Sequence, residues 1–493
     1  MEAKAILFDF DNTIADTTSI REIRETLAYD KLTVENLARV RAYKPVPHLL
    51  RALKRAGAHI GLVTNAGRGY LTPVLHHLHL DDVFDVVVTY TDVKAEGKKP
   101  SPKGILRALD ALGIAPGPEV LYVGDEDTDH QAAYRAGITP IMPSWATRKS
   151  VSTPPAMEMN SEQLIEYLSN PLEFRLFAEQ CAERGTANFA RRGVYFLPLD
   201  SSANIVTLKE QMTALCLGRY FSQKGAVTAW LHSKHPLSCE IQSKEEVDTF
   251  SIPEHWYGML AHVVEHGPKY IYDDESSRFD LVTVIPAKKG KDPRLERLLD
   301  GLGKRLKGDR LPPEFATDLL YYLDDARSQK TLRRAERSFE AQRALHLNLE
   351  RARLISGKRV LVIDDVTTTG ATLARAEALL VGAGAKDVVG VAIAKTVSIM
   401  EDERACPHCA RPMRVKRNGN TGEHFFGCTG FHDPLDPCNH TEALVKKVCP
   451  NCQRDMRVQT VKATGQKFWS CTGWRETPTC NHSMDFDESE IQF

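Results

Sequence analysis

The clearest change in the pattern of hydrophobic and polar positions lies between residues 360 and 382. Residues 360–363 are an apolar, mostly β-branched run, which predicts a buried strand. Asp364 and Asp365 follow directly, and a hydroxyl-rich turn with one glycine comes next. The spacing of apolar residues over 371–382 predicts a helix. A strand, a turn of free N–H groups and a helix N-terminus form a cradle for an anion, so this stretch predicts phosphate binding.

This stretch resembles the phosphoribosyl pyrophosphate (PRPP) loop of type I phosphoribosyltransferases. Asp364 and Asp365 stand where they would hold ribose hydroxyls or a Mg²⁺-bound sugar. The turn would supply hydroxyl and N–H donors to phosphate from Thr367, Thr368, Thr369, Gly370 and Thr372. An ordinary strand–helix turn would explain the apolar run, but not two carboxylates followed by four threonines around one glycine.

Length and composition limit the class of protein. A chain of 493 residues predicts about three domains. The 64 basic and 65 acidic residues nearly cancel, so the whole chain has no bulk attraction to nucleic acid. No apolar stretch is long enough to predict a membrane span, and the N-terminus runs directly into a strand rather than a signal peptide. Eight of the eleven cysteines lie after residue 405, which favours metal binding and a reducing cytoplasm.

The first 145 residues contain a series of polar strand ends. A short apolar strand ends in Asp9 and Asp11, and two carboxylates at this spacing project into one site. One can attack phosphorus as a nucleophile and the other can protonate the leaving oxygen, with Mg²⁺ neutralising the phosphate. Later strands end at Thr64 and Asp125, and Lys99 precedes a helix between them.

These four stretches resemble the motifs of the haloacid dehalogenase (HAD) superfamily, in order and spacing. The resemblance implies that Asp9 is the nucleophile and Asp11 the general acid/base, and that Thr64 and Lys99 bind phosphoryl oxygens. It implies Mg²⁺ held by Asp9, Asp125 and Asp129, with help from the Asp11 carbonyl. Lys98 is the competitor for the role of Lys99.

The cap that many HAD phosphatases insert after the first motif has little room here. Only residues 16–46 are available, which predicts two short helices. A small cap predicts an open site that suits a bulky substrate, such as a nucleic-acid end or a nucleotide. Serine and proline after residue 143 then predict a linker over 146–165.

Two further stretches add to the middle module. A strand predicted over 279–285 runs into Ala287 and Lys288, where N–H groups and lysine would grip pyrophosphate. A basic segment with Arg327 and Lys330 lies where type I phosphoribosyltransferases have a mobile loop that closes over substrate. With the stretch from 360, this segment resembles ComF, a phosphoribosyltransferase-like family linked to DNA uptake. Glu340 and Arg343 depart from its usual Asn and Gly.

Two cysteine repeats form the C-terminal module. Each repeat has two cysteines at a Cys-x2-Cys spacing and two more downstream, and the offset is 43 residues, slipping to 42 at the last cysteine. Four thiolates per repeat suit a tetrahedral structural Zn²⁺ with no open position for catalysis. The two sets of predicted ligands are Cys406, Cys409, Cys428 and Cys438, and Cys449, Cys452, Cys471 and Cys480.

The repeats resemble the zinc ribbons at the C-terminus of bacterial type IA topoisomerases, which implies binding of single-stranded nucleic acid. Residues 404–482 carry twelve basic and six acidic side chains, and stacking faces would come from Phe426, Phe468, Trp469 and Trp474. The alternative is that these aromatic residues form the small ribbon core and the ribbons contact protein.

The sequence therefore predicts an α/β chain with these modules: HAD-like phosphatase 1–145, linker 146–165, ComF-like phosphoribosyltransferase domain 166–400, and zinc ribbons 404–443 and 447–485. The predicted function is processing of nucleotides or nucleic-acid ends by a cytoplasmic enzyme with Mg²⁺ and two structural Zn²⁺. Its partners would be PRPP or a nucleotide, a phosphorylated substrate, single-stranded DNA or RNA and a possible protein. Repair, DNA uptake or antiphage defence is the expected context. The alternative is a PRPP or nucleotide sensor whose transferase domain does not turn over.

Overall fold

The fold comes from a computed structural model, and the chain forms two compact units. One comprises Met1–Ser222 and Leu231–Ile399, and the other comprises Gln223–Trp230 and Met400–Phe493. The structure describes all residues except 1–4, 147–148, 187–193, 208, 224–225, 245–246, 248, 275, 309–311, 327–333, 400–403, 407, 410–411, 419–423, 429–430, 432–436, 444–446, 462–463, 465 and 486–493.

The first domain is built on a parallel six-stranded sheet. Its strands are β1 (Ala5–Phe8), β4 (His59–Val63), β5 (Val86–Val88), β6 (Val120–Val123), β7 (Thr139–Pro143) and β8 (Met157–Met159), and β2 (Ala15–Asp16) pairs separately with β3 (Arg41–Ala42). The spatial order is β5-β4-β1-β6-β7-β8, with every adjacent pair parallel. Its helices are α1 (Arg21–Glu25), α2 (Val34–Leu37), α3 (Val46–Arg55), α4 (Arg68–His77), α5 (Tyr90–Gly97), α6 (Lys103–Leu112), α7 (Asp127–Arg135) and α8 (Ser161–Tyr167).

Both faces of this sheet are covered, as its sequence requires. Alternate residues of β1 enter different apolar clusters: Ile6 and Phe8 belong to one, and Ala5 and Leu7 to the other. A parallel strand buried on both faces has a continuous apolar sequence rather than an alternating one. The carboxyl ends of β1, β4 and β6 therefore meet at one edge of a rigid sheet, where the predicted site residues follow.

The linker predicted over 146–165 is part of this first domain, so that boundary was wrong. Strand β8 pairs in parallel with β7, and α8 follows it. Met157 and Met159 are fully buried, so a short apolar strand extends the sheet despite the surrounding serine and proline. The N–H groups of Ser152 and Thr153 donate to Asp127 at the start of α7. The two short helices predicted for the cap are confirmed as α1 and α2.

The second domain has a mixed sheet of order β13-β12-β16-β17-β10-β9, with β11 also paired to β17. Only the contact between β9 and β10 is antiparallel among these described pairs. The strands are β9 (Leu197–Leu199), β10 (Ala214–Cys216), β11 (Arg219–Tyr220), β12 (Leu281–Val284), β13 (Glu314–Phe315), β16 (Arg359–Thr367) and β17 (Asp387–Thr396), and β14 (Leu320–Tyr322) pairs with β15 (Leu345–Leu347). The helices that the structure describes between residues 177 and 382 are α9 (Phe177–Arg184), α10 (Ala226–Ser233), α11 (Pro236–Ser243), α12 (Glu254–Tyr272), α13 (Arg294–Arg305), α14 (Arg334–Ala344) and α15 (Ala371–Gly382).

The second unit contains two four-stranded antiparallel sheets of matching order. The first has β18 (Arg404–Ala405), β19 (Pro412–Arg417), β20 (His424–Cys428) and β21 (Thr441–Ala443), and the second has β22 (Lys447–Val448), β23 (Asp455–Thr460), β24 (Lys467–Cys471) and β25 (Ser483–Asp485). Among the described residues, short 3₁₀ turns are Thr18–Ile20, Tyr29–Lys31, Pro171–Phe174, Lys209–Gln211, Leu306–Gly308, Leu349–Leu354 and Thr472–Arg475. Among the described residues, no helix has the length and apolar character needed to cross a membrane.

Candidate functional site

Three carboxylates meet at the carboxyl edge of the first sheet. Asp9 follows β1, Asp125 follows β6, and Asp129 lies in the first turn of α7. One oxygen from each lies within 4.8 Å of the others, and the three side chains are buried. Burial raises the pKa of Asp125 to about 9, and the neighbouring Asp129 and Asp9 add to the rise. This donor set fits a hard divalent cation such as Mg²⁺, because a cation would relieve the repulsion among three close carboxylates.

Lys99 supplies the positive charge in this cluster. Its Nζ donates to Asp9 Oδ1 at 2.6 Å, to Asp129 Oδ1 at 2.6 Å and to the Tyr122 hydroxyl at 2.9 Å. Burial opposes the ammonium charge, but the two carboxylates raise the pKa of Lys99 well above its usual value. Burial also raises the pKa of Asp9 to about 7, although Lys99 acts against the rise. Lys98 is exposed, so the structure places Lys99 and not its neighbour in the site.

Asp11 and Thr64 lie at the same edge with different partners. Thr64 is buried, and its Oγ1 accepts the N–H of Ala66 at 3.0 Å. The Asp11 carboxylate lies outside the three-carboxylate cluster and contacts Thr17, Tyr70 and Arg24. A role of its main-chain carbonyl in holding Mg²⁺ stays a prediction.

The cap covers more of this site than the sequence suggested. Asp9 and Asp11 are each 8% exposed and Lys99 is 6% exposed. Cap residues Thr17 and Arg24 both contact Asp11, although the cap has only short helices. The small cap therefore packs directly onto Asp11, and the expectation of an open site is not met.

The predicted PRPP loop has the expected strand, turn and helix. Asp365 is buried, and its Oδ2 accepts from Lys244 Nζ at 2.7 Å and from Arg294 Nε at 2.8 Å. Burial acts against its charge, but Lys244 and Arg294 together hold the pKa of Asp365 well below its usual range. Asp364 remains partly exposed, yet desolvation and the charge of Asp365 raise its pKa to about 7.

The turn after the acidic pair is tightly packed. Thr367 is buried, and the hydroxyls of Thr368 and Thr396 are hydrogen-bonded at 2.9 Å. Gly370 begins α15 with a φ of 72°, and a Cβ there would approach the Ser201 carbonyl oxygen to 2.7 Å. Only glycine fits this close approach and backbone conformation without strain. Of the other predicted donors, Thr369 and Thr372 stand on either side of Gly370 and are partly exposed.

The loop predicted to grip pyrophosphate is partly engaged within the protein. The Ala287 N–H donates to Glu296 Oε1 at 2.6 Å, so this donor already has a partner. Lys288 Nζ lies 4.9 Å from the ring centroid of Tyr322, and burial lowers the pKa of Lys288. Arg327 and Lys330 lie outside the described residues.

The sequence did not predict four residues that contact the site residues. Arg24 contacts Asp11, and Tyr122 contacts Lys99. Lys244 and Arg294 both contact Asp365. Lys244 and Arg294 lie 121 and 71 residues from Asp365, so no local pattern could have paired them. Lys244 and Arg294 come before Asp365 in the sequence, and only the folded chain brings them into contact with it.

The two cysteine sets each form one cluster of thiols. Within each set the four sulfur atoms lie within 4.8 Å of one another. Close Sγ–Sγ pairs are 3.4 Å (Cys409–Cys428) and 3.7 Å (Cys406–Cys438), and the second set repeats both distances. Tetrahedral Zn²⁺ with Zn–S bonds of about 2.3 Å needs sulfur atoms about 3.8 Å apart. The clusters therefore fit zinc and are too open for disulfides.

Two of the four aromatic residues predicted to stack on nucleic acid are in the ribbon cores. Phe426 is 8% exposed and Trp469 is 1% exposed, each packed beside its own cysteine cluster. Small domains have little apolar area, so their large aromatic residues turn inwards. The prediction of stacking is wrong for these two. Phe468 is partly exposed, and Trp474 is 48% exposed.

Comparison with protein families identifies two of the modules. The model of haloacid dehalogenase-like hydrolases matches residues 21–142, and that of the phosphoribosyl transferase domain matches residues 313–408. A HAD hydrolase domain and a phosphoribosyltransferase domain are therefore present, beside two four-cysteine clusters that fit zinc ribbons. The HAD match starts after the first motif, and neither match identifies the transferase domain as ComF-like.

Curated phosphatases match part of the chain. The pyrophosphatase PpaX of Bacillus cereus (strain B4264) is 38% identical over 109 residues, 22% of this chain and 49% of that protein. The phosphoglycolate phosphatase of Escherichia coli (strain K12) is 40% identical over 94 residues, 18% of this chain and 36% of that protein. That of Aquifex aeolicus (strain VF5) is 33% identical over 129 residues, 26% and 59% respectively. The chain thus spans between 36% and 59% of the lengths of these relatives.

Solved structures of HAD hydrolases also match part of the chain. A HAD phosphatase from Thermococcus onnurineus has 25% identity and a TM-score of 0.28, covering 34% of this chain and 97% of that one. A HAD-superfamily hydrolase from Ehrlichia chaffeensis has 22% identity and a TM-score of 0.27, also covering 34% and 97%.

Proposed function

We propose that this chain is a Mg²⁺-dependent phosphatase fused to a PRPP-binding phosphoribosyltransferase domain. The observation that supports it most is the buried cluster of Asp9, Asp125 and Asp129 around Lys99. Mg²⁺ held by those three carboxylates would neutralise the charge of a phosphoryl group. Asp9 attacks phosphorus and forms an aspartyl-phosphate while the leaving oxygen takes a proton from Asp11. Water then hydrolyses the intermediate and returns a proton to Asp11.

The substrate we propose is a small phosphorylated molecule, namely a nucleotide or the pyrophosphate released when PRPP is used. Relatives named pyrophosphatase and phosphoglycolate phosphatase act, by their names, on small phosphate compounds. The position of the cap also supports a small substrate rather than a nucleic-acid end, because the cap residues Thr17 and Arg24 contact Asp11.

A panel of substrates tests this proposal. Phosphate release with Mg²⁺ would be measured from pyrophosphate, nucleoside monophosphates, phosphoglycolate and a 5′-phosphorylated single strand. We expect release from at least one small compound and much slower release from the strand. Faster release from the strand would restore end processing in repair, DNA uptake or defence, and no release from any would remove the phosphatase.

The runner-up is that the second domain senses PRPP or a nucleotide without turning it over. Two observations favour it: Asp365 is already paired with Lys244 and Arg294, and the Ala287 N–H is already bonded to Glu296. Pyrophosphate release from PRPP with a mixture of nucleobases separates the two functions. Binding of PRPP without release supports the sensor, and release supports the transferase.

For the ribbons we propose two structural zinc ions and a single-strand contact centred on Trp474. Metal analysis should find two zinc ions per chain. Trp474→Ala should weaken binding of a labelled oligonucleotide by about 1–3 kcal/mol, and added salt should weaken it further. Phe431→Ala, which removes another exposed aromatic ring, measures whether the effect is local to Trp474. Two zinc ions without strand binding at low salt would make the ribbons protein-contact modules.

A further inference from the structure

The Asp11 carboxylate has a separate set of partners for each oxygen. Oδ1 accepts from the Thr17 hydroxyl at 2.6 Å and from the Tyr70 hydroxyl at 2.9 Å. Oδ2 contacts Nη1 of Arg24 at 2.7 Å. The carboxylate is thereby fixed against rotation about its own axis. Two of the partners come from the cap and one from α4, so the cap and the core hold this group together.

The contact with Arg24 is a partly buried ion pair. The side chains of Arg24 and Asp11 are 25% and 9% exposed. Burial opposes the guanidinium charge, but Asp11 raises the pKa of Arg24 above its usual value, so the cation persists. Tyr70 is fully buried and keeps its proton, because burial and Asp11 raise its pKa far above the usual range. Thr17, Tyr70 and Arg24 therefore all contact Asp11 at once in the structure.

We propose that Arg24, assisted by Tyr70, positions Asp11 for proton transfer to the leaving group. This inference rests on the proposed phosphatase. In the first step the Asp9 oxygen bonds to phosphorus, the bond to the leaving oxygen breaks, and the Asp11 proton moves to that oxygen. In the second step a water oxygen bonds to phosphorus, the bond to Asp9 breaks, and a water proton returns to Asp11. Arg24 stabilises the carboxylate that the first transfer leaves behind.

The chemistry of the leaving group tests this role. An alkyl leaving group is a strong base and needs the proton, whereas 4-nitrophenolate leaves without it. With Mg²⁺ and the full chain, Arg24→Ala should lower kcat/KM for glycerol 2-phosphate, which reports the first step, on the order of a hundredfold. The kcat/KM for 4-nitrophenyl phosphate should change by less than about threefold, because general acid catalysis contributes little to that step. Arg24→Lys should restore part of the alkyl rate, since it keeps the charge.

Two matched variants complete the test. Arg21 lies on the same cap helix but pairs with Glu25, so Arg21→Ala should leave both rates unchanged. Tyr70→Phe keeps the buried ring and should show a smaller loss that is again selective for the alkyl ester. Equal losses on both esters in Arg24→Ala would show a structural role for the cap, and no loss on either would also overturn the inference. A wild type inactive on both esters and on every compound of the substrate panel would remove the phosphatase itself.

Discussion

The two acidic strand ends of this chain, one in each α/β domain, are built with opposite charge balance. At the HAD edge, Asp9, Asp125 and Asp129 lie close together, and one buried cation, Lys99, contacts Asp9 and Asp129. In the PRPP loop, Asp365 alone has two cations, Lys244 and Arg294. Parallel strands bring the carboxylates of the first site together, whereas Asp364 and Asp365 are consecutive residues of β16. Of the two sites, the first retains an excess of negative charge.

The difference indicates how each site meets a ligand. Burial and the neighbouring carboxylates raise the pKa of Asp9 to about 7 and that of Asp125 to about 9. Because these buried like charges repel one another, the site favours a divalent cation. The Asp365 carboxylate is already paired with two cations, so its position does not depend on a metal ion. Asp364 is then the acid of the pair that remains available to a ligand. The first site is therefore expected to need metal for function, and the second to be stable without it.

The largest effect is expected on the rate of phosphate release when the nucleophile of the first site is removed. Asp9→Asn should lower Mg²⁺-dependent phosphate release on the order of a thousandfold or more, because the aspartyl-phosphate cannot form. Binding of PRPP to the other domain should be unchanged. Circular dichroism and a phosphate-release assay measure fold and rate on the same sample. Asp110→Asn, an exposed change of the same kind on α6, is the matched control. Activity retained in Asp9→Asn would remove the HAD mechanism.

Asp365→Asn tests the satisfied carboxylate through stability. Lys244 and Asp365 are each 8% exposed at the side chain, so the variant leaves two poorly solvated cations without their partner. We expect a loss of about 3–5 kcal/mol of unfolding free energy near pH 7. The pKa of Asp365 is lowered by folding, so its stabilisation is present above its unfolded pKa and fades as the pH falls below it. The difference from wild type in calorimetry should therefore shrink below about pH 4. An undiminished difference there would contradict the ion-pair explanation.

Asp364→Asn should instead abolish the response to PRPP at little cost in stability. In wild type, PRPP with Mg²⁺ at a hundred times its Kd should raise the unfolding free energy by about 2.7 kcal/mol. The pKa of Asp364 is raised to about 7, so its charge destabilises the fold as the pH rises through that value. The variant should thus be at least as stable as wild type at pH 8, and thermal shifts with and without PRPP measure both effects. A variant that still responds fully to PRPP would exclude Asp364 as a ligand-binding group.

The sequence predicted the parts of these sites that depend on local order along the chain. Asp9, Thr64 and Asp125 follow strands, and parallel strands fix where their ends meet. The cysteine clusters followed from spacing alone. The partners of the acids could not be predicted, because Lys244 and Arg24 reach them only through the packing of separate helices. The burial of Trp469 was left open as the alternative to stacking, since composition does not distinguish a core aromatic residue from a stacking one.

The smallest expected effect is the stabilisation of the protein by Mg²⁺ alone, which distinguishes the two acidic sites. Mg²⁺ without PRPP should stabilise wild type by RT ln(1 + [Mg²⁺]/Kd), about 1.4 kcal/mol at ten times Kd. Asp125→Asn removes one of the three facing carboxylates and should abolish most of this shift, while Asp364→Asn should keep it. Both variants neutralise one acid of a candidate site, so each controls for the other, and NaCl at the same ionic strength controls for screening. A shift lost in Asp364→Asn and kept in Asp125→Asn would reverse the assignment, because the metal-dependent edge would then be the PRPP loop.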